Sequence, residues 1–254
     1  MSLDRAGVKL SYQEGGTGGV PMVLIHGWTC DHSYFAPQFD RFSRSRRVVA
    51  VDLRGHGSSD APEGDYSMPT LADDVAWLCE QLGIQGAVLV GHSMGAAVSV
   101  EAAARHPHLV STLVLVDAAP IVRGPELAPL LQQLVDGLSG PDALAVRRDF
   151  VGSMLFLPTD DPVLKNRVLT EMLAAPAHVA MSCFQGIVRW DSEAAIKAVK
   201  VPVLAIHADQ PINDPEALAG MCPTLSNART PGVGHFNQLL AAGEVNGLID
   251  AFLA

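Results

Sequence analysis

Val8-Lys9-Leu10-Ser11-Tyr12-Gln13 alternates apolar and polar positions, the pattern of a half-exposed strand. Further along, the alternation gives way to short, continuous apolar runs. These are Pro21 to His26, Arg47 to Leu53, Ala87 to Val90, Val110 to Val116 and Val201 to His207, and each predicts a strand buried on both faces. Between them the period changes to that of a helix. Asp31 to Phe42 predicts one helix, and Ser93 to about His106 another, rich in Ala and Val. Thr70-Leu71-Ala72-Asp73 opens a third as a capping-box variant, with Leu71, Val75, Leu78 and Leu82 on its apolar face and Gly83 as its stop. After Val201 to His207 come a helix near Pro215 to Met221, a short strand near Leu225 to Thr230 and a last helix to Leu253. Strands separated by helices predict the α/β class: a mostly parallel, doubly wound sheet with helices on both faces.

The texture changes between Ile121 and about Lys200. Strand-like runs vanish, and Pro125, Pro129, Pro141, Pro158, Pro162 and Pro176 punctuate short helical patterns. This stretch reads as a helical cap inserted after the sixth strand, giving a core of residues 1–120 and 201–254 and a cap of 121–200. Composition narrows the partners. A net charge of −10 with scattered Lys and Arg leaves no basic stripe for nucleic acid. Four cysteines, Cys30, Cys79, Cys183 and Cys222, show neither paired nor metal-ligand spacing, as in a reduced compartment. Met1 to Gln13 lacks a signal-peptide core, and no apolar stretch is long enough to span a bilayer. The expectation is a cytoplasmic protein with no membrane partner. Gly15-Gly16-Thr17-Gly18-Gly19 precedes a strand, so it is a turn and not a phosphate cradle.

Chemistry concentrates at Gly91-His92-Ser93-Met94-Gly95, a G-x-S-x-G pattern between a predicted strand and a predicted helix. A serine pushed out at such a turn sits in a strained backbone conformation, and the flanking glycines supply room where a Cβ would collide. The helix that follows aims free N–H groups and its positive end at the site where an oxyanion would form. Four further stretches accompany it in order: His26-Gly27-Trp28, Asp52-Leu53-Arg54-Gly55-His56-Gly57-Ser58-Ser59, Pro202 to His207, and Gly232-Val233-Gly234-His235-Phe236. Together the five matches resemble the α/β-hydrolase fold superfamily, and within it the small serine carboxylesterases and arylesterases. The resemblance runs the length of the chain apart from the insertion.

It implies Ser93 as nucleophile, His235 as base, and an oxyanion hole built from the backbone N–H groups of Trp28 and Met94. It implies an acid after the strand Val201 to His207. The usual spacing is missing there, and Asp209 is the first carboxylate past the strand end; Asp214 fits better as a helix cap. Asp117 is the rival, because some members take the acid from the end of the strand after the nucleophile helix. Trp28, His32, Met94 and Phe236 are candidate pocket residues near the serine. From the insertion Phe150, Met154, Phe156, Met181, Phe184, Ile187 and Trp190 are candidates for an apolar wall.

The expected activity is hydrolysis of an uncharged, small-to-medium carboxylic ester through an acyl-enzyme, with no metal or cofactor, since no cluster has ligand spacing. Other reactions share this triad: carbon–carbon bond hydrolysis, lactone hydrolysis and perhydrolysis. Cofactor-free quinolone dioxygenases also resemble the chain, in Gly27-Trp28-Thr29-Cys30-Asp31-His32 and in an acid at Asp117. A ligand receptor with slow turnover is an alternative of a different class.

Overall fold

The computed structural model describes residues 1–254. In chain order the elements are β1 (Ser2–Arg5), β2 (Val8–Gly15), β3 (Met22–Ile25), α1 (Ala36–Phe42), β4 (Val48–Val51), α2 (Met68–Gln81), β5 (Ala87–His92), α3 (Met94–Arg105) and β6 (Val110–Val116). Then follow α4 (Leu127–Leu138), α5 (Ala143–Met154), α6 (Pro162–Ala174), α7 (Ala177–Arg189), α8 (Ser192–Ala198), β7 (Val203–His207), α9 (Pro215–Met221), β8 (Leu225–Arg229), α10 (Asn237–Leu240) and α11 (Ala242–Leu253). One eight-stranded sheet runs β1-β2-β4-β3-β5-β6-β7-β8. β1 and β2 are antiparallel to their neighbours, and every pairing from β4 through β8 is parallel.

Two apolar layers cover the sheet, and the alternation along each buried strand decides which residue meets which layer. Met22 and Leu24 of β3 pack with Phe35, Phe39, Phe42, Val245 and Ile249, the layer of α1 and α11. Val23 and Ile25 pack on the other face, with α2, α3 and the helices between β6 and β7. This is why those runs read as continuous: both faces are inside.

Three local features differ from the pattern-based expectation. α2 starts at Met68 instead of Thr70, because Ser67 is the residue whose hydroxyl accepts from Thr70 N–H, and Pro69 fits the first turn. The helix expected from Asp31 begins as a single 3-10 turn at His32–Phe35, capped by Asp31, before α1. β1 forms a hairpin with β2 across Ala6 and Gly7, both at positive φ (53° and 86°), the conformation that suits a two-residue hairpin turn. No helix is long and apolar enough to cross a membrane.

Beyond β4, Asp52 organises the Arg54-to-Ser59 loop. Its carboxylate accepts from the His32 ring (2.8 Å), the His32 N–H (2.9 Å) and the Ser58 N–H (3.0 Å). Gly57 lies so close that a Cβ there would strike this carboxylate. Burial opposes the charge on Asp52, but these donors outweigh it and hold the carboxyl down at about 2, from an ordinary 3.8. A lowered folded value contributes stability above the unfolded pKa, and that stability is lost as the pH falls through the folded one. The shift is worth about 2 kcal/mol at neutral pH. The urea midpoint of wild type is therefore expected to exceed that of Asp52→Asn at pH 6, with the gap closing as the pH falls from 4 toward 2. A gap that stays constant over that range would remove this carboxylate from the acid stability of the fold.

Candidate active site

Ser93 stands between β5 and α3 at φ 54° and ψ −117°, a conformation costly for any residue with a Cβ. Surrounding hydrogen bonds hold it there. Its N–H donates to Val116 C=O (3.0 Å), and its own C=O accepts from Ala96 (3.0 Å) and Ala119 (3.1 Å). The glycines do what the spacing requires. A Cβ at Gly95 would collide with the backbone carbonyls of Ile25 and His26, and one at Gly91 with the Gly95 carbonyl. The first turn of α3 thus presses against the end of β3.

That contact builds the backbone part of the site. Gly27 follows β3, and a Cβ on it would lie 3.3 Å from Ser93 Cβ. The Gly27 backbone therefore approaches the serine directly. His26 pins this loop. Its Nδ1–H donates to Gly27 C=O (2.8 Å) while Nε2 accepts from Leu53 N–H (3.0 Å), and burial lowers its pKa, which keeps the ring neutral. The Trp28 indole donates to Ala180 C=O of α7 (2.7 Å), tying the loop to the helices above.

His235 lies on the loop between β8 and α10, and its Nδ1–H donates to Asp117 Oδ2 at 2.6 Å. Both side chains are buried. The other Asp117 oxygen accepts from Ala208 N–H (3.0 Å), so the carboxylate is satisfied on both sides. With its proton on Nδ1, the imidazole keeps the Nε2 lone pair, which is what a base needs. Asp117 sits at the carboxyl end of β6 at φ 37°, a left-handed conformation that aspartate tolerates better than most residues.

The expectation that Asp209 pairs with the histidine is corrected here. Asp209 instead accepts from Gly232 N–H (2.9 Å), and its own N–H donates to Val233 C=O (3.0 Å). The shortened loop after β7 folds it against the base loop, away from the imidazole. Asp214 caps α9 through Ala217 N–H (2.8 Å). Sequence reasoning passed over Asn213. Its buried amide accepts from Ile121 (2.7 Å) and Val122 (3.0 Å) N–H groups and donates to Ala118 (2.9 Å) and Ala119 (3.3 Å) C=O. All four partners lie just past Asp117, so Asn213 fixes the strand end that carries the carboxylate paired with His235.

Ser93 and His235 open on one cavity of about 130 Å³ with a mainly hydrophobic lining. Of the expected wall residues, Trp28, Phe150, Met154, Phe184, Ile187 and Phe236 line it. Trp28, Phe150 and Phe184 meet edge to face, with ring centroids 5.5–5.9 Å apart. Five expected residues are elsewhere. His32 is held by Asp52 in the surface hollow beside β2, because its ring pairs with that carboxylate. The Met94 side chain points into the core, Phe156 stacks on Phe236 from behind, and the Trp190 indole is drawn to Glu101 (2.7 Å). Met181 packs at the edge of the core and is not part of the lining.

The face of α4 was the missed wall: Leu127, Leu130, Leu131 and Leu134 all line the cavity. Their i, i+3, i+4, i+7 spacing is a legible helical stripe. Cys30 also lines it, but burial pushes its thiol pKa well up, so it is an apolar wall and not a second nucleophile.

A serine at a strained strand-to-helix turn, a histidine held by a strand-end carboxylate and a sheet of this order form one constellation, and the family model for the alpha/beta hydrolase fold matches residues 20–242. The chain belongs to the α/β-hydrolase fold family. This α/β hydrolase is 37% identical over 159 residues to the 2-(acetamidomethylene)succinate hydrolase of Mesorhizobium japonicum, covering 62% of this chain and 57% of that protein's length. It is 30% identical to the bifunctional esterase/perhydrolase DCH of Acinetobacter calcoaceticus, over 97% of this chain and 96% of that one. Among solved structures, a thermophilic esterase from Thermogutta terrifontis superposes with a TM-score of 0.86 at 25% identity, over 99% of this chain and 96% of that one. These relatives are named as a hydrolase, an esterase/perhydrolase and an esterase.

Proposed function

We propose that this α/β hydrolase cleaves a small, uncharged carboxylic ester through an acyl-enzyme on Ser93. The observation that carries the reading is the convergence of Ser93 and the His235–Asp117 pair on one apolar cavity. In that scheme His235 Nε2 takes the Ser93 hydroxyl proton as Oγ attacks the ester carbonyl. The backbone N–H groups of Trp28 and Met94 hold the oxyanion. As the tetrahedral adduct collapses, the imidazolium returns the proton to the leaving alcohol. Water then attacks the acyl-enzyme by the same route, releasing the acid and the free serine.

The cavity supports the size and charge of the substrate. About 130 Å³ is close to the roughly 150 Å³ that holds a benzene-sized guest. Its lining carries no Lys, Arg, Asp or Glu. The three edge-to-face rings suit a flat or short acyl group.

The test is turnover of p-nitrophenyl acetate, butyrate, hexanoate and decanoate, paired with intact mass after fluorophosphonate treatment. The expected result is a preference for the shorter chains and a single adduct. A folded protein that shows neither turnover nor adduct would sink the ester reading.

A further inference from the structure

The base loop is held from above by a segment of the helical insertion, and one buried carboxylate is central to that hold. Between α5 and α6 the chain turns at Leu155 to Asp160. Asp160 is 8% exposed and forms no ion pair with any cation of the protein. Its Oδ2 accepts from Leu157 N–H (2.7 Å) within its own turn, and its Oδ1 reaches across to Gly234 N–H (3.1 Å). One residue on, His235 N–H donates to Leu155 C=O (3.0 Å). Behind it, Phe156 stacks on Phe236, with centroids 5.1 Å apart and planes 27° apart. Gly234 makes the approach possible: a Cβ there would strike the Asp160 carboxylate and lie 3.0 Å from Leu155 C=O.

We propose that Asp160 is a positioning residue for His235, fixing the base through the Gly234 amide. The inference rests on the reading of His235 as the base. A buried carboxylate with no cation beside it is expensive unless its donors repay the cost. Here the donors are two backbone amides, one in the insertion and one in the base loop. The carboxylate serves them with one oxygen each. Without it, Gly234 N–H is left unpaired and the peptide before His235 is free to turn, which swings the ring relative to Ser93. A misplacement of about 1 Å costs up to about 100-fold in rate without removing the walls of the cavity.

The test compares Asp160→Ala, Asp160→Asn and, as a control of stability alone, Val168→Ala, whose side chain is buried in α6 away from the cavity. On the best p-nitrophenyl ester, Asp160→Ala is expected to lose about 10- to 100-fold in kcat with KM within twofold. Asp160→Asn, with one acceptor left, is expected to recover part of that loss. Val168→Ala is expected to melt lower with kcat unchanged. The second readout needs no substrate. The low-field proton of the His235–Asp117 hydrogen bond is expected to be sharp in wild type and broadened by exchange in Asp160→Ala. Unchanged kcat and a sharp resonance in folded Asp160→Ala or Asp160→Asn would overturn the proposal. If wild type shows no ester turnover at all, the ester reading falls, and the resonance alone decides the role of Asp160.

Discussion

Ser93→Ala is expected to lower kcat on any ester the wild type turns over by roughly 10⁶-fold, the scale seen when a triad nucleophile is removed. The residual rate over water would come from the backbone oxyanion donors and the cavity, which the substitution leaves in place. Stability should change little. Alanine shares the conformational cost of φ 54° with serine, and the Val116, Ala96 and Ala119 hydrogen bonds are all to backbone atoms of residue 93. The fluorophosphonate adduct should disappear with the activity. Activity that survives in Ser93→Ala but not in His235→Ala would point to chemistry in which the imidazole removes a substrate proton and the serine is never acylated. The cofactor-free oxygenation of the quinolone dioxygenases is of that kind.

Asp117→Asn is expected to cost roughly 10⁴-fold in kcat, because asparagine accommodates the wrong imidazole tautomer and cannot balance the charge that develops on His235. Its side-chain oxygen can still accept from Ala208 N–H, so folding should survive. Asp209→Ala is the companion measurement. Asp209 touches only the backbone at Gly232 and Val233, so activity should stay within a few-fold, with a small drop in melting temperature. The opposite pattern, with Asp209→Ala inactive and Asp117→Asn active, would return the acid to the end of β7.

Much of this molecule was legible because its signals are local. The apolar runs that became β3 to β7 were buried on both faces and read as such. The elbow was legible for a steric reason: only residues without a Cβ fit where α3 meets β3 and β5. The helix stripes of α2 and α4 were in the sequence as well, although that of α4 was not used to build the cavity wall. Where local signals competed, the start of an element moved by a turn, as at Ser67, where hydroxyl capping and Pro69 outweighed the capping-box pattern at Thr70.

The amino-acid sequence by itself determined the class of fold, the serine at the turn and the histidine on the last loop, since each depends on residues within a few positions of one another. Only the tertiary structure decided which carboxylate meets that histidine. Asp117 and Asp209 follow neighbouring strands of the sheet, so spacing along the chain places both near the base. Two distant features separate them: the shortened loop that turns Asp209 toward Gly232, and the Asn213 amide that fixes the chain beyond Asp117. The cavity wall was settled in the same way. Helix packing brings the α4 stripe to the serine and turns Phe156 and Trp190 from it, and packing of this kind depends on the whole insertion closing over the sheet.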